Sequence, residues 1–382
     1  MKKWLLGTAA AAGVALGTDA ASAAALSTPS MSGPLAANPN PISLDAGPVG
    51  KIYVDGIVSG LGFWQDDHVP GDQAWHADLG NGQIFVQKTD GWLQFYVQAG
   101  AYSLPSLGTP YLNAGDTISD TFGAVPVAYA KLAPTDNFSI EAGKLPTLVG
   151  DEYTFTFENM DIERGLLWNQ EPAVSRGVQA NYTAGPVSFA LSWNDGFYSD
   201  RLNWLSGSAA WTIDSSNTLS LIGGGNIGHT GYSTFATPLA QNNGNIFNLI
   251  YTWTSGPWTV SPYGQFANVP DNAGLGITHS VSSTGGAVLV SYSVNDDWKV
   301  AARGEYISSS GNSLAGTPNL LYGPGSNAWS LTITPTYQHG IFFARGEASY
   351  VGAGDTTPGF AFGPNLDRTS QVRLVLETGV LF

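Results

Sequence analysis

The chain contains no cysteine, which removes disulfides, thiol nucleophiles and cysteine-ligated zinc together. Charge is scarce as well. Asp, Glu, Lys and Arg make up 11% of the residues, less than half the roughly one quarter usual for globular chains. The bases are scarcest, 14 Lys and Arg against 29 Asp and Glu, for a net charge of -15. That balance excludes nucleic acid as a partner, because phosphates call for a basic surface. Long apolar runs are missing too. Beyond the amino terminus no window approaches the ~18 apolar residues of a transmembrane helix. Yet 43% of the residues are hydrophobic, 12% are aromatic and 48 are glycine. The apolar residues must therefore be spaced at short range.

The spacing is two. In QVRLVLETGVLF, Val372, Leu374, Leu376, Thr378, Val380 and Phe382 fall on one face, and Gln371, Arg373, Val375, Glu377, Gly379 and Leu381 on the other. Alternation of this kind is a β-strand with one apolar face. NAWSLTITPTYQ, WTVSPYGQF and VSFALSW repeat it, often with Trp or Tyr at the ends of the apolar face. About sixteen such segments run from residue 51 to the end. Short turns (KTDG, PTD, AGP, DSSN, SGP, NDD, QHG) follow every second one, and longer loops fill the other gaps. An even-stranded meander with long loops at one end is the layout of a transmembrane antiparallel up-and-down β-barrel. In that fold the apolar faces meet lipid and closure pairs every backbone group. Phe382 then belongs at the periplasmic lipid interface, ending the carboxy-terminal signal that the barrel-assembly machinery reads.

The amino terminus reads as a secretory signal peptide over residues 1–23. Lys2 and Lys3 form its positive region, Leu5 to Leu16 its apolar core, and Ala21-Ser22-Ala23 the cleavage site. Residues 24–49, rich in Pro and Ala, read as a flexible periplasmic lead-in. The barrel is expected over 50–382.

Charge falls on the other parity. ARGE occurs twice, as Ala302–Glu305 and Ala344–Glu347, with Arg303, Glu305, Arg345 and Glu347 directed to the lumen. Arg373 and Glu377 repeat the arrangement on the last strand, and Lys51 and Asp55 begin it on the first. Lys131, Glu141 and Lys299 share the lumenal parity. These residues either form a charged pore wall or a set of salt bridges that stiffens the barrel. The longest loop, about 145–172, is third among the long ones and carries Asp151, Glu152, Glu158, Asp161, Glu163 and Glu171 against Arg164 alone. It is expected to fold inward as a constriction formed by Asp151, Glu152, Glu158, Asp161 and Glu163. The alternative is an external acidic cap on lipopolysaccharide.

The stretch from Val125 to Tyr182 also resembles a family. AGKLPTLVGDEY (Ala142–Tyr153) and RGLLWNQEP (Arg164–Pro172) are similar to the OmpL-like β-barrel porins, and the resemblance extends over most of the mature chain. It implies an outer-membrane channel and supplies no catalytic residue.

Signals for catalysis are weak. Gly223–Gly228 matches G-x-G-x-x-G, but no helical pattern follows it. The five histidines (68, 76, 229, 279, 339) lack metal-ligand spacing. The expectation is a porin passing small hydrophilic solutes and ions, with no cofactor and no enzymatic role. Its partners would be outer-membrane lipid, lipopolysaccharide and the assembly machinery, with a homotrimer possible by analogy. One rival is a substrate-selective porin, for instance for sugars, with Tyr53, Trp92, Tyr96, Tyr129 and Tyr263 as stacking faces. Another is a non-conducting surface barrel acting as adhesin or scaffold.

Overall fold

The computed structural model describes residues 33–312 and 314–382; the expected signal peptide and the first part of the lead-in lie outside them. A short strand β1 (Ile42–Asp45) precedes β2 (Lys51–Gln65), β3 (Trp75–Lys88), β4 (Leu93–Tyr102), β5 (Val127–Thr135), β6 (Phe138–Pro146), β7 (Val174–Ala184) and β8 (Val187–Asn194). There follow β9 (Trp204–Thr212), β10 (Asn217–Asn226), β11 (Asn245–Ser255), β12 (Trp258–Val269) and β13 (Val281–Ser293). The last four are β14 (Trp298–Ser309), β15 (Asn327–His339), β16 (Phe342–Gly354) and β17 (Ser370–Leu381). From β2 onward each strand pairs antiparallel with the next, and β17 pairs back onto β2, Val375 opposite Phe63 and Val380 opposite Val58. The result is a closed barrel of 16 strands.

Tight turns join the strands at one end. Several place a glycine first with positive φ, as at Gly185 (57°), Gly256 (56°) and Gly340 (58°). A side chain there would be strained, and this turn class matches the right-handed twist of the flanking strands. All the long connections leave the other end, and one carries the helix α1 (Ala114–Asp120).

The outer face settles what surrounds the barrel. Leu191, Leu221, Leu249, Leu331, Ile333, Leu374 and Leu376 all point outward, each more than half exposed or nearly so. A soluble monomer does not leave a band of this extent to water. Aromatic pairs border it at both ends. Trp258–Tyr292 and Trp298–Tyr337 stand at the tight-turn end with ring centroids 4.4 and 5.0 Å apart. Trp64–Trp75 and Trp329–Tyr350 stand at the loop end. Such girdles mark the two membrane interfaces of a transmembrane barrel. Phe382 lies just past β17, where its backbone exchanges hydrogen bonds with Gly56 at 2.8 and 2.9 Å. Its ring covers the Gly56 Cα, so closely that a Cβ there would come within 2.6 Å of it.

The described part of the lead-in is ordered against the barrel. β1 forms a hairpin with the start of β2, Ile42 opposite Val54. Upstream, the chain enters the lumen from the tight-turn end. The Ala36 N–H donates to Gln338 Oε1 at 2.7 Å, and Gln338 Nε2 donates to the Ala36 carbonyl at 2.8 Å. Lys299 Nζ donates to the Pro34 carbonyl at 2.6 Å. Leu35 is 3% exposed, in a cluster with Ile57, Phe85, Phe155 and Phe157.

Candidate functional site

The third long loop, residues 147–173, fills much of the lumen. Hydrophobic side chains hold its body: Leu148, Val149, Met160, Leu166 and Leu167 pack against inward residues of the wall such as Ile246, Ile250 and Leu289. Phe155 and Phe157 stack 6.0 Å apart and reach Phe85 and Tyr102. Inward apolar positions on these strands exist because the loop covers them.

Polar contacts fix its position. Arg303 on β14 donates to Glu152 Oε1 at 2.6 Å and to the Glu163 carbonyl at 2.8 Å, and lies 3.7 Å from Asp161. Arg345 on β16 donates to the carbonyls of Thr156, Asn159 and Met160 at 2.7–3.0 Å. Arg373 on β17 holds Glu163 Oε1 at 2.9 Å and the Ser106 carbonyl at 2.7 Å. The wall acids hold the loop's amides. Glu305 accepts from the N–H groups of Leu166 and Leu167, and Glu347 from those of Ile162 and Glu163. Glu377 accepts from Thr156 Oγ1 at 2.8 Å, as well as from Ser59 and Asn81. β15 supplies hydroxyls between these charges: Ser330 donates to Glu305 and Thr334 to Asp161 and Glu347. Each ARGE string therefore puts an arginine and a glutamate on one face, one for carbonyls and one for amides of the same loop.

The expected wall residues divide. Arg303, Glu305, Arg345, Glu347, Arg373 and Glu377 are buried together on one side of the barrel. Lys131 and Glu141 pair with each other at 3.4 Å on β5 and β6. Asp55 is buried beside Gln87, apart from the ladder. Lys299 serves the amino-terminal segment, and Lys51 is exposed at the foot of β2. Among the aromatics, Tyr53, Tyr96, Tyr129 and Tyr263 share the inward parity, Tyr96 and Tyr129 with rings 5.7 Å apart. Trp92 instead stands in the tight turn before β4, 68% exposed, because the ladder begins only at Leu93.

All five acids expected at the constriction are buried: Asp151, Glu152, Glu158, Asp161 and Glu163. Glu152, Asp161 and Glu163 face arginines, whereas Asp151 accepts from Ser261 and Glu158 from the Phe155 N–H. Among the described residues, eleven buried carboxylates stand against five buried basic groups. Burial pushes the Asp151 carboxyl up to about 6 and that of Glu158 to about 8. Glu171 is also raised well above its ordinary value, since burial acts on it with no hydrogen-bond partner and with Glu152 and Asp151 nearby. Two parts of this arrangement left no mark in the alternation of residues. The backbone carbonyls that Arg345 collects carry no side-chain signal. The seat of the amino-terminal segment on Gln338 joins positions 302 residues apart.

A closed sixteen-strand barrel with an apolar belt, two aromatic girdles and a charged loop folded into its lumen is a transmembrane barrel of the bacterial outer-membrane porin class. The chain matches a family model over residues 51–382 and belongs to that family, described as "Putative beta-barrel porin-2, OmpL-like". No curated protein matches it. Among solved structures it is similar to the outer-membrane OmpT of Vibrio cholerae (12% identity, covering 90% of this chain and 100% of that one, TM-score 0.57). The same protein in a trimer form gives 14% identity, 87% and 99% coverage and a TM-score of 0.54. The outer-membrane channel DcaP of Acinetobacter baumannii gives 11% identity, 87% and 97% coverage and a TM-score of 0.56. At these identities the likeness is one of fold.

Proposed function

We propose that this porin is a passive channel for small hydrophilic solutes and ions, without enzymatic chemistry, and that its third loop forms the constriction. The observation that carries this is the seating of residues 147–173 inside the barrel on Arg303, Arg345 and Arg373. A loop held in this way narrows the lumen and leaves an acidic lining, which favours cations where the passage is tight and screening by water is poor. Asp151 contributes most to that preference, because its carboxyl, at about 6, is ionised at neutral pH and is held by the Ser261 hydroxyl. The same reading includes export by the leader at residues 1–23, assembly through Phe382, and a homotrimer like that described for the Vibrio OmpT. The test is conductance of the purified barrel in a planar bilayer. Stepwise, ohmic current supports the channel; its absence after verified insertion favours a non-conducting surface barrel.

A further inference from the structure

A second feature lies at the loop end, outside the constriction. Three external loops, 103–126, 195–203 and 227–244, meet over the end of β7 and enclose a cavity of about 370 Å³. Ligand sites for small molecules begin at about this size. Its floor is built under strain. Tyr198 and Asp200 both hold positive φ, 58° and 61°, although neither is glycine. Backbone of this kind persists only where its surroundings over-determine it, and it gathers at functional sites. Arg176 supplies the constraint. Its Nε lies 2.7 Å from Asp195, its Nη1 3.0 Å from Asp200, and its guanidinium 3.9 Å above the Tyr198 ring. Tyr232 and Phe235, on the 227–244 loop, line the same cavity and are 45% and 67% exposed, apolar faces turned to water. Asp120 at the end of α1 completes the rim.

The lining selects among ligand classes. An anion would meet Asp120 and Asp200, while the fork of Arg176 is already engaged by carboxylates. An organic cation would meet two fixed positive charges at the floor, Arg176 over the Tyr198 ring and Lys144 with its Nζ 5.4 Å from it, while Asp195 and Asp200 are already paired with Arg176. What remains is a neutral ligand with C–H faces for Tyr232 and Phe235 and hydroxyl donors for the two carboxylates. We propose that this cavity is an external binding site for a neutral saccharide of one or two rings. The site stands apart from the constriction, and its occupancy does not depend on whether the barrel conducts.

Equilibrium binding tests it directly. The folded barrel, in a polyoxyethylene detergent that carries no sugar, is titrated with neutral mono- and disaccharides while its intrinsic fluorescence is read. Choline and succinate serve as the cationic and anionic controls. The expected result is saturable binding of at least one neutral sugar and none of the controls. The Tyr232→Ala/Phe235→Ala variant should bind about tenfold more weakly through loss of two stacking faces, with an unchanged heat-modifiable gel shift showing an intact fold. Asp120→Asn, which leaves the Arg176 network untouched, should also weaken binding. Saturable binding of choline or succinate in place of sugar, no saturable sugar binding at all, or sugar binding unmoved by the aromatic variant would each overturn the proposal.

Discussion

Arg303 of β14 and Glu152 of the third loop lie 2.6 Å apart, both buried, and the same guanidinium holds the Glu163 carbonyl. Breaking a buried pair from one side strands a charge at a cost of about 3–5 kcal/mol. Here Arg303→Met would strand Glu152, Asp161 and Glu305 together. The loop should detach while the barrel, held by its strand ladders, stays closed. Chymotrypsin should then cut the folded variant after Tyr153, Phe155 or Phe157 many times faster than the wild type. Equal resistance in both would mean that the arginine does not hold the loop.

Proton linkage gives a second expectation. Burial holds the Asp151 and Glu158 carboxyls at about 6 and about 8 in the seated loop, against about 4 for free carboxyls. Between those values the seated form binds more protons than the released form, so seating weakens as pH rises from about 4 to about 8. The temperature at which the compact gel form converts should be lower at pH 8 than at pH 5. Glu158→Gln, lacking the group that titrates highest of the two, should flatten the upper part of this slope. A rise in conversion temperature with pH would contradict the sign.

The amino-terminal segment should narrow the tight-turn mouth. Gln338→Ala removes both hydrogen bonds to Ala36, and Leu35→Ser places a hydroxyl among Ile57, Phe85, Phe155 and Phe157. The two changes together should release residues 33–40 and raise single-channel conductance measurably. Unchanged conductance would leave the segment as a tether without influence on passage.

Removal of Phe382 should lower the yield of folded barrel several-fold, because it takes away both the ring over Gly56 and the closing backbone pair. Phe382→Tyr should retain most of it. The fraction of heat-modifiable protein in the outer membrane reports the outcome, and a normal fraction after deletion removes the assembly role.

Much of this was legible in the residues, and the reason is periodicity. A strand between lipid and lumen must alternate, so Arg303 and Glu305 declare their side as soon as Ala302 and Gly304 are seen between them. Sixteen strands and the turn rule follow from the same constraint. The start of β3 was less visible: WHADLGNG, residues 75–82, carries Asp, Asn and Gly, which read as loop, yet it pairs with β2 through a register shift at Ser59/Gly60. The loop's destination was suggested by its length and acidity, but its fastening was not. Four of the six wall charges, Arg303, Glu305, Arg345 and Glu347, reach the loop's backbone N–H or C=O groups, which every residue has. The order of residues 33–36 was hidden for a like reason, since one leucine and one glutamine amide in a Pro-rich stretch resemble any linker.

The central claim is that the loop's acids lie on the conduction path and set a cation preference. Reversal potential in a potassium chloride gradient at pH 8, where Asp151 is ionised, tests it most directly, compared between the wild type and an Asp151→Asn variant. Asn keeps an acceptor for the Ser261 hydroxyl that holds Asp151, so the loop stays seated. The wild type should reverse on the cation-selective side, less so as salt rises, and the variant should move toward anions. A wild type that prefers anions, or a variant with the wild-type potential, would contradict the account.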